Sequence, residues 1–565
     1  MLFQYNLSVK KILVALILLV IQENVFSQPY YKYWIQFTDK NNSPYSISKP
    51  SAYLSARAIY RRKKYNIPIQ LNDFPPNPAY IDSVISKGVK LLNRSRWFNA
   101  ISINAVSAAD TAAAMKKIRA LPFVKKSTFV TLTGPHNSNK NQYVETIQNR
   151  SPYAVDTLNY ANSYNQVHMI GIDCLNNMGF CGKGKRIAQI DARFGQANLL
   201  PAFDSLFNRN GILGTWDFVW EDPIVWDDTN NVDVHGEMVL SCMGGNLPGQ
   251  LLGDAKDADF YLLRTEDIQS EYEIEDDNWT SAAEYADSAG ADVITSSLGY
   301  TTFDDTNTSY TYADMNGKVA VASRAATIAV EKGLVVCVAA GNQGGNPWQY
   351  ISSPGDADSI LTVGAVDPSG NYAGFSSKGP TSDKRIKPDV AAQGVNTAVA
   401  SPGGGVTFSG GTSFATPLIA GAAACLWQSD TNASNIQIMQ AIRESASQYL
   451  HPDTLLGYGI PNFCMAKIIT GGFTENKVVT GLNKVFPDPF TDNITVSFFS
   501  SIVQNVNVKM YNTLGQLITQ KTWKVAGGGN TLIPLHGLGN LVKGIYLVLL
   551  TDEKGSVYTS KIVKE

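Results

Sequence analysis

Residues 410–428 read Gly-Gly-Thr-Ser-Phe-Ala-Thr-Pro-Leu-Ile-Ala-Gly-Ala-Ala-Ala-Cys-Leu-Trp-Gln. From Leu418 to Trp427 every residue is small or apolar. A helix that is apolar nearly all round belongs in the centre of a domain, covered on every side. Pro417 is expected in the first helical turn, where a missing N–H costs no helical bond. Ser413 then stands at the helix N-terminus, beside unpaired N–H groups and the positive end of the dipole. That setting suits a nucleophile whose reaction generates an oxyanion. A plain capping serine is the alternative this stretch leaves open.

Charge narrows the classes of function. The 46 basic and 48 acidic residues nearly cancel, to a net −2. There is no electrostatic case for nucleic acid or an anionic membrane. Six cysteines without a CxxC pair, and only five histidines, argue against a zinc cluster. No HExxH-like pair exists, which argues against a metalloprotease. Cys337 and Cys425 lie in apolar runs and read as buried thiols. Cys174 and Cys181 flank a short loop and are candidates for a local disulfide.

The length of 565 residues allows three or four domains. Lys10 and Lys11 precede an apolar run from Ile12 to Ile21, and small residues Val25 and Ser27 follow. Residues 1–27 therefore read as a secretory signal peptide, and the mature protein is expected to be soluble. Residues 28–133 form a small α+β unit. Its strands are expected at Tyr31–Phe37, Trp97–Ile103 and Phe123–Leu132, and its helix at Ala108–Ala120. Residues 134–152 are polar and aperiodic, an exposed segment of the kind proteases cut. This order suggests a pro-region, with a permanent accessory domain as the alternative.

Between 153 and 470 lie four pieces of chemistry. Lys185–Asp191 is an apolar strand ending in an acid, and strand carboxyl ends are where α/β domains gather chemistry. His235, followed by Gly236, opens a helix of largely small and apolar residues, a setting that His136, His168, His451 and His536 lack. Ala291–Gly299 is a strand ending in small residues. Leu334–Val338 is a strand that runs through Ala339 and Ala340 into Asn342 within a glycine turn. The asparagine could be a turn residue with positive φ, or could aim its amide at an oxyanion.

Asp191, His235-Gly236, Ser296–Gly299, Ala340–Asn342, Phe375–Pro380, Lys387–Val390 and Gly411–Pro417, in that order, resemble the subtilisin-type (subtilase) serine proteases. The match spans roughly 155–470. The resemblance implies a mostly parallel sheet with helices on both faces. It also implies a secreted serine endopeptidase that cleaves polypeptides through an acyl-enzyme. Ser413 would be the nucleophile, His235 its base and Asp191 the residue that orients the imidazole. Asn342 and the Ser413 N–H would bind the oxyanion. Ser297, Leu298 and Gly299 would pair with an extended substrate. An α/β-hydrolase elbow fits poorly, since Asp191 and His235 precede Ser413. Three departures bear on substrate preference: Glu237 where the family has Thr, an acidic, Trp-rich stretch at 216–231, and Gln393 where Pro is usual.

Residues 471–483 read as a linker, and 484–565 as short strands between turns, a β-sandwich. The start at Phe486–Phe490, the Tyr511–Gln516 turn, the Gly544–Tyr546 strand and the basic end resemble the C-terminal sorting domains of type IX secretion. A carbohydrate-binding or docking module is the alternative. The whole is expected to be a monomeric zymogen whose pro-domain inhibits it and whose partners include the type IX machinery. No metal or cofactor is expected in the chemistry, and a structural calcium is expected only by family resemblance. A catalytically silent, peptide-binding surface protein is the rival reading.

Overall fold

The computed structural model describes residues 30–105, 108–133, 158–226, 233–472, 481–500, 503–525 and 529–565. The expected signal peptide and the 134–152 linker lie outside the described residues.

Seven strands form one wholly parallel sheet in the order Val390–Gln393, Leu361–Val366, Val335–Ala339, Val293–Ser296, Arg186–Asp191, Asp259–Arg264, Ile212–Asp217. Its central strands are continuous apolar runs because both faces are covered, and every residue of Val335–Ala339 and Leu361–Val366 is buried. On one face Trp279, from the helix Ile274–Ala289, donates its indole N–H to Ser296 Oγ at 2.9 Å. Asp191, on the other face, meets the helix His235–Gly244, which packs beside Thr412–Ser429.

The helix Thr412–Ser429 is the buried core element the sequence demands, with Thr412 through Trp427 all buried. Pro417, however, lies inside it and not in the first turn. Its missing N–H leaves the Ser413 carbonyl without a helical donor. Ser297 Oγ donates to that carbonyl at 2.8 Å, which is why the proline is tolerated.

The disulfide also differs from expectation. Cys174, in the helix Ile172–Asn177, is bonded to Cys464 in the helix Phe463–Gly472. Cys181 is a buried free thiol, as are Cys337 and Cys425. A Cβ on Gly171 would sit 3.2 Å from the Asn462 side chain, so the two helices start against each other. Cys181 lies past the helix end and turns its Sγ inward, toward the Asn176 carbonyl at 3.7 Å. The bond closes a sequence separation of 290 residues, and its loss should cost about 2–5 kcal/mol. Reductant should lower the Tm of the wild type and leave the already lowered Tm of Cys464→Ser unchanged.

The amino-terminal unit has an antiparallel sheet in the order Lys90–Ser95, Ala100–Ala105, Tyr30–Phe37, Val124–Thr133. The helices Pro78–Ile85 and Ala108–Arg119 supply Ile81, Val84, Met115 and Ile118 to its core. The strand expected from Trp97 begins only at Ala100, because the Arg96 and Trp97 N–H groups donate to the Glu284 carboxylate at 2.7 and 3.1 Å. This unit is bound to the peptidase domain by buried charge. Arg61, Arg62 and Arg96 converge on the fully buried Asp287 at 2.5, 2.9 and 3.3 Å. Arg57 reaches Asp292 at 2.5 Å, and Lys332 of the peptidase domain reaches Asp73 at 3.1 Å.

At the carboxyl end, a three-stranded and a four-stranded antiparallel sheet share one apolar core, including Val496, Phe498, Val508 and Val548. This is the expected β-sandwich. The helix Phe463–Gly472 and the strand Gly481–Phe486 take up the two ends of the expected 471–483 linker. Among the described residues, no helix is long and apolar enough to cross a membrane.

Candidate active site

Asp191 is the last residue of its strand and is fully buried. Its Oδ1 accepts from the Ala192 N–H at 2.9 Å, and its Oδ2 from Gln189 Nε2 at 3.0 Å. His235 is the first residue of its helix. That helix starts tight against the strand end: the Gly236 N–H donates to the Arg193 carbonyl at 2.8 Å. A Cβ on Gly236 would lie 2.4 Å from that same oxygen, so the residue after His235 must be glycine. Asp233 accepts the His235 backbone N–H at 3.0 Å.

These constraints bring His235 Nδ1 within 2.5 Å of Asp191 Oδ1. A carboxylate only accepts, so Nδ1 carries the proton and neutral His235 keeps Nε2 as a base. Burial works against the imidazolium. The Asp191 charge and hydrogen bond, with Asp233 and Glu266 behind them, outweigh it and push the His235 pKa up to about 9.

Ser413 lies in the first turn of its helix, only 8% exposed, with its Oγ donating to the Ser297 carbonyl at 3.3 Å. The next residue, Phe414, has its ring centroid 6.1 Å from that of His235, so the imidazole stands near the start of the Ser413 helix. Ser297 returns a hydrogen bond to the Ser413 carbonyl. Leu298 is half-buried and Gly299 exposed, leaving the end of this strand accessible.

The positive φ in the glycine turn, 102°, belongs to Gly341 and not to Asn342. Asn342 Oδ1 accepts from the Thr412 N–H at 2.9 Å and from Thr412 Oγ1 at 3.0 Å. The amide is thereby oriented, with Nδ2 3.5 Å from where a Cβ on Gly411 would be. Phe375–Pro380 buttresses this turn: the Ser377 N–H donates to the Gly341 carbonyl at 2.8 Å, and its Oγ accepts from the Gln343 N–H at 3.0 Å. The Lys387–Val390 stretch braces the sheet: Asp389 is held by Lys387 at 2.6 Å and Arg443 at 2.8 Å.

The structure thus joins Asp191 to His235, Ser413 to Ser297, and Asn342 to Thr412. Sequence reading missed Gln189 and Asp233, which contact the Asp–His pair. Asp233, two residues before a helix start, carries the N-cap type of signal that could have found it. Glu237 turns inward to accept the Gln196 N–H at 2.8 Å, and burial pushes its pKa up to about 7. In the Trp-rich stretch, Trp220 lies over Arg193 and Arg264 at 4.3 and 4.8 Å. Residues 227–232 of that stretch lie outside the described set. For the calcium expectation, Glu266, Glu271 and Glu275 bring ligand atoms within 4.8 Å of one another. Glu266 also accepts from Tyr300 at 2.6 Å and Glu275 from the Asp267 N–H at 2.9 Å.

Residues 182–459 match the subtilase family, residues 32–149 the peptidase S8 propeptide domain of Bacteroidota, and residues 484–565 a secretion system C-terminal sorting domain. The chain is 28% identical over 298 residues to subtilisin E of Bacillus subtilis (strain 168), covering 52% of this chain and 69% of the relative. Subtilisin of Bacillus pumilus is 27% identical, over 52% of this chain and 95% of its own. Serine protease AprX of Bacillus subtilis (strain 168) is 35% identical over 161 residues, 25% of this chain and 36% of its own. The sorting domain directs the protein to secretion or to the cell surface. Residues 182–459 are a serine peptidase domain of the subtilase family, with a propeptide domain ahead of it and a sorting domain behind it.

Proposed function

We propose that the protein is a secreted endopeptidase in which Ser413, His235 and Asp191 act as nucleophile, general base and orienting acid. The observation that carries this reading is the 2.5 Å bond between Asp191 and His235, with the imidazole standing at the start of the Ser413 helix. Nε2 takes the Ser413 proton as Oγ attacks the peptide carbonyl, and returns it to the leaving amine. The acyl-enzyme is then hydrolysed by water. The Ser413 N–H and Asn342 Nδ2 receive the oxyanion. An extended substrate lies along Ser297–Gly299. A fluorophosphonate probe should label the mature enzyme at Ser413, mapped by mass spectrometry. An unlabelled but correctly processed protein would sink the reading and favour a silent peptide binder.

The signal peptide 1–27 and pro-domain 28–133 are removed on maturation in this reading, and the pro-domain inhibits until then. Asp287 is the anchor of that inhibition, since three pro-domain arginines converge on it. Removing one partner of a buried ion pair costs about 3–5 kcal/mol, or roughly 10²–10⁴ in affinity. Asp287→Ala should weaken inhibition by pro-domain added in trans to that extent, measured as Ki. Turnover by the processed variant should be unchanged. The peptidase acts as a monomer and needs no metal in its chemistry. Calcium would serve stability only.

A further inference from the structure

Gln189 is a polar side chain in a strand that is otherwise a core strand, and it is fully buried. Residues two apart on a strand share a face, so Gln189 points to the side on which Asp191 meets His235. Its Nε2 donates to Asp191 Oδ2 at 3.0 Å and to the Gly236 carbonyl at 2.8 Å. Both acceptors demand the NH₂ end of the amide, which fixes its orientation. Its Oε1 is left buried with no partner among the described residues. An apolar residue would pack in this strand without that orphan, so local stability does not explain the glutamine.

The bonds it makes do explain it. Among the described residues, Gln189 supplies the one donor to Oδ2, while Oδ1 takes the Ala192 N–H and the imidazole. The same NH₂ ties Asp191 to the residue immediately after His235. We infer that Gln189 is a positioning residue of the catalytic machinery: its amide locks the Asp191 carboxylate with Oδ1 toward His235 and holds the histidine helix in register with the strand. This rests on the triad reading above. A hydrogen bond to Oδ2 also draws off carboxylate charge, and so limits how strongly Asp191 stabilises imidazolium. The other charged groups acting on His235 are Asp233, ahead of its helix, and Glu266.

The test uses the full chain, matured and titrated with a fluorophosphonate so that rates are per competent site. Gln189→Met keeps the length and removes the donor. It should lower kcat about tenfold through misorientation, leave KM within about twofold, and move the acidic limb of kcat/KM up by about half a unit to one unit. Gln189→Glu can donate only while protonated, so its kcat/KM as a fraction of wild type at the same pH should be highest in acid and fall as pH rises. A Gln189→Met enzyme with wild-type kcat and limb per titrated site overturns the inference, even if its yield falls, because that pattern marks a purely structural role. If Gln189→Met yields no titratable enzyme, the Gln189→Glu profile decides: a ratio to wild-type kcat/KM that falls with rising pH supports the role, and a ratio constant with pH overturns it. Asp191→Asn is measured alongside. Full activity in that variant would instead condemn the triad reading itself.

Discussion

Ser413→Ala should abolish peptide hydrolysis, with kcat falling about 10⁶-fold, the loss that triads of this type show when the nucleophile is removed. An alcohol at neutral pH reacts only when a base stands ready to take its proton. Removing Oγ leaves His235 with nothing to activate and the oxyanion donors with no covalent intermediate to bind. The substitution should not disturb folding. The Ser413 carbonyl keeps its bond from Ser297, and the helix keeps its burial. The variant should therefore accumulate as a full-length precursor if the pro-domain is removed by the enzyme's own activity. Intact-mass measurement of the secreted protein reads processing, and a fluorogenic peptide reads turnover. A Ser413→Ala protein that still cleaves peptide at more than about a thousandth of the wild-type rate would end the assignment.

Asp191→Asn should lower kcat about 10⁴-fold, because an amide facing Nδ1 no longer enforces the useful tautomer. It should also change the pH profile in a defined direction. The pKa of His235 is raised to about 9, with the Asp191 charge and hydrogen bond working against burial. Catalysis needs neutral imidazole, so wild-type kcat/KM should climb through neutrality toward about 9 and level off as the proton leaves. Removing the carboxylate charge removes the chief support of the imidazolium. The acidic limb of the residual activity should therefore move to lower pH in Asp191→Asn. Rate profiles from pH about 5 to 10 measure both effects. A limb that stays in place would mean that another group titrates there.

The parts of the site that were legible in the sequence are those built from contiguous residues. Asp191 is marked by the strand it ends, His235 by the glycine its helix start requires, Asn342 by the turn that Gly341 makes, and Ser413 by an all-apolar helix. The parts that were not legible depend on chain brought in from far away. Pro417 reads as a first-turn residue because nothing nearby shows that Ser297, over a hundred positions earlier, serves the orphaned carbonyl; the separation is 116 residues. Cys174 reads as the partner of Cys181 because proximity in sequence is the only guide, yet helix packing gives it Cys464. The strand expected at Trp97 starts late because Glu284 of another domain takes the N–H groups of Arg96 and Trp97. Gln189 is a single polar letter in an apolar run, and only the fold shows what its amide touches.

The bond between Cys174 and Cys464 has a consequence for a secreted peptidase exposed to its own copies. Such enzymes attack wherever a terminus frays. Here a helix near the start of the catalytic body and the helix that closes it are sewn to each other. After the leader and the trailing sandwich are shed, that link would still tie the domain's two ends together, and the finished enzyme would resist being unravelled by its neighbours.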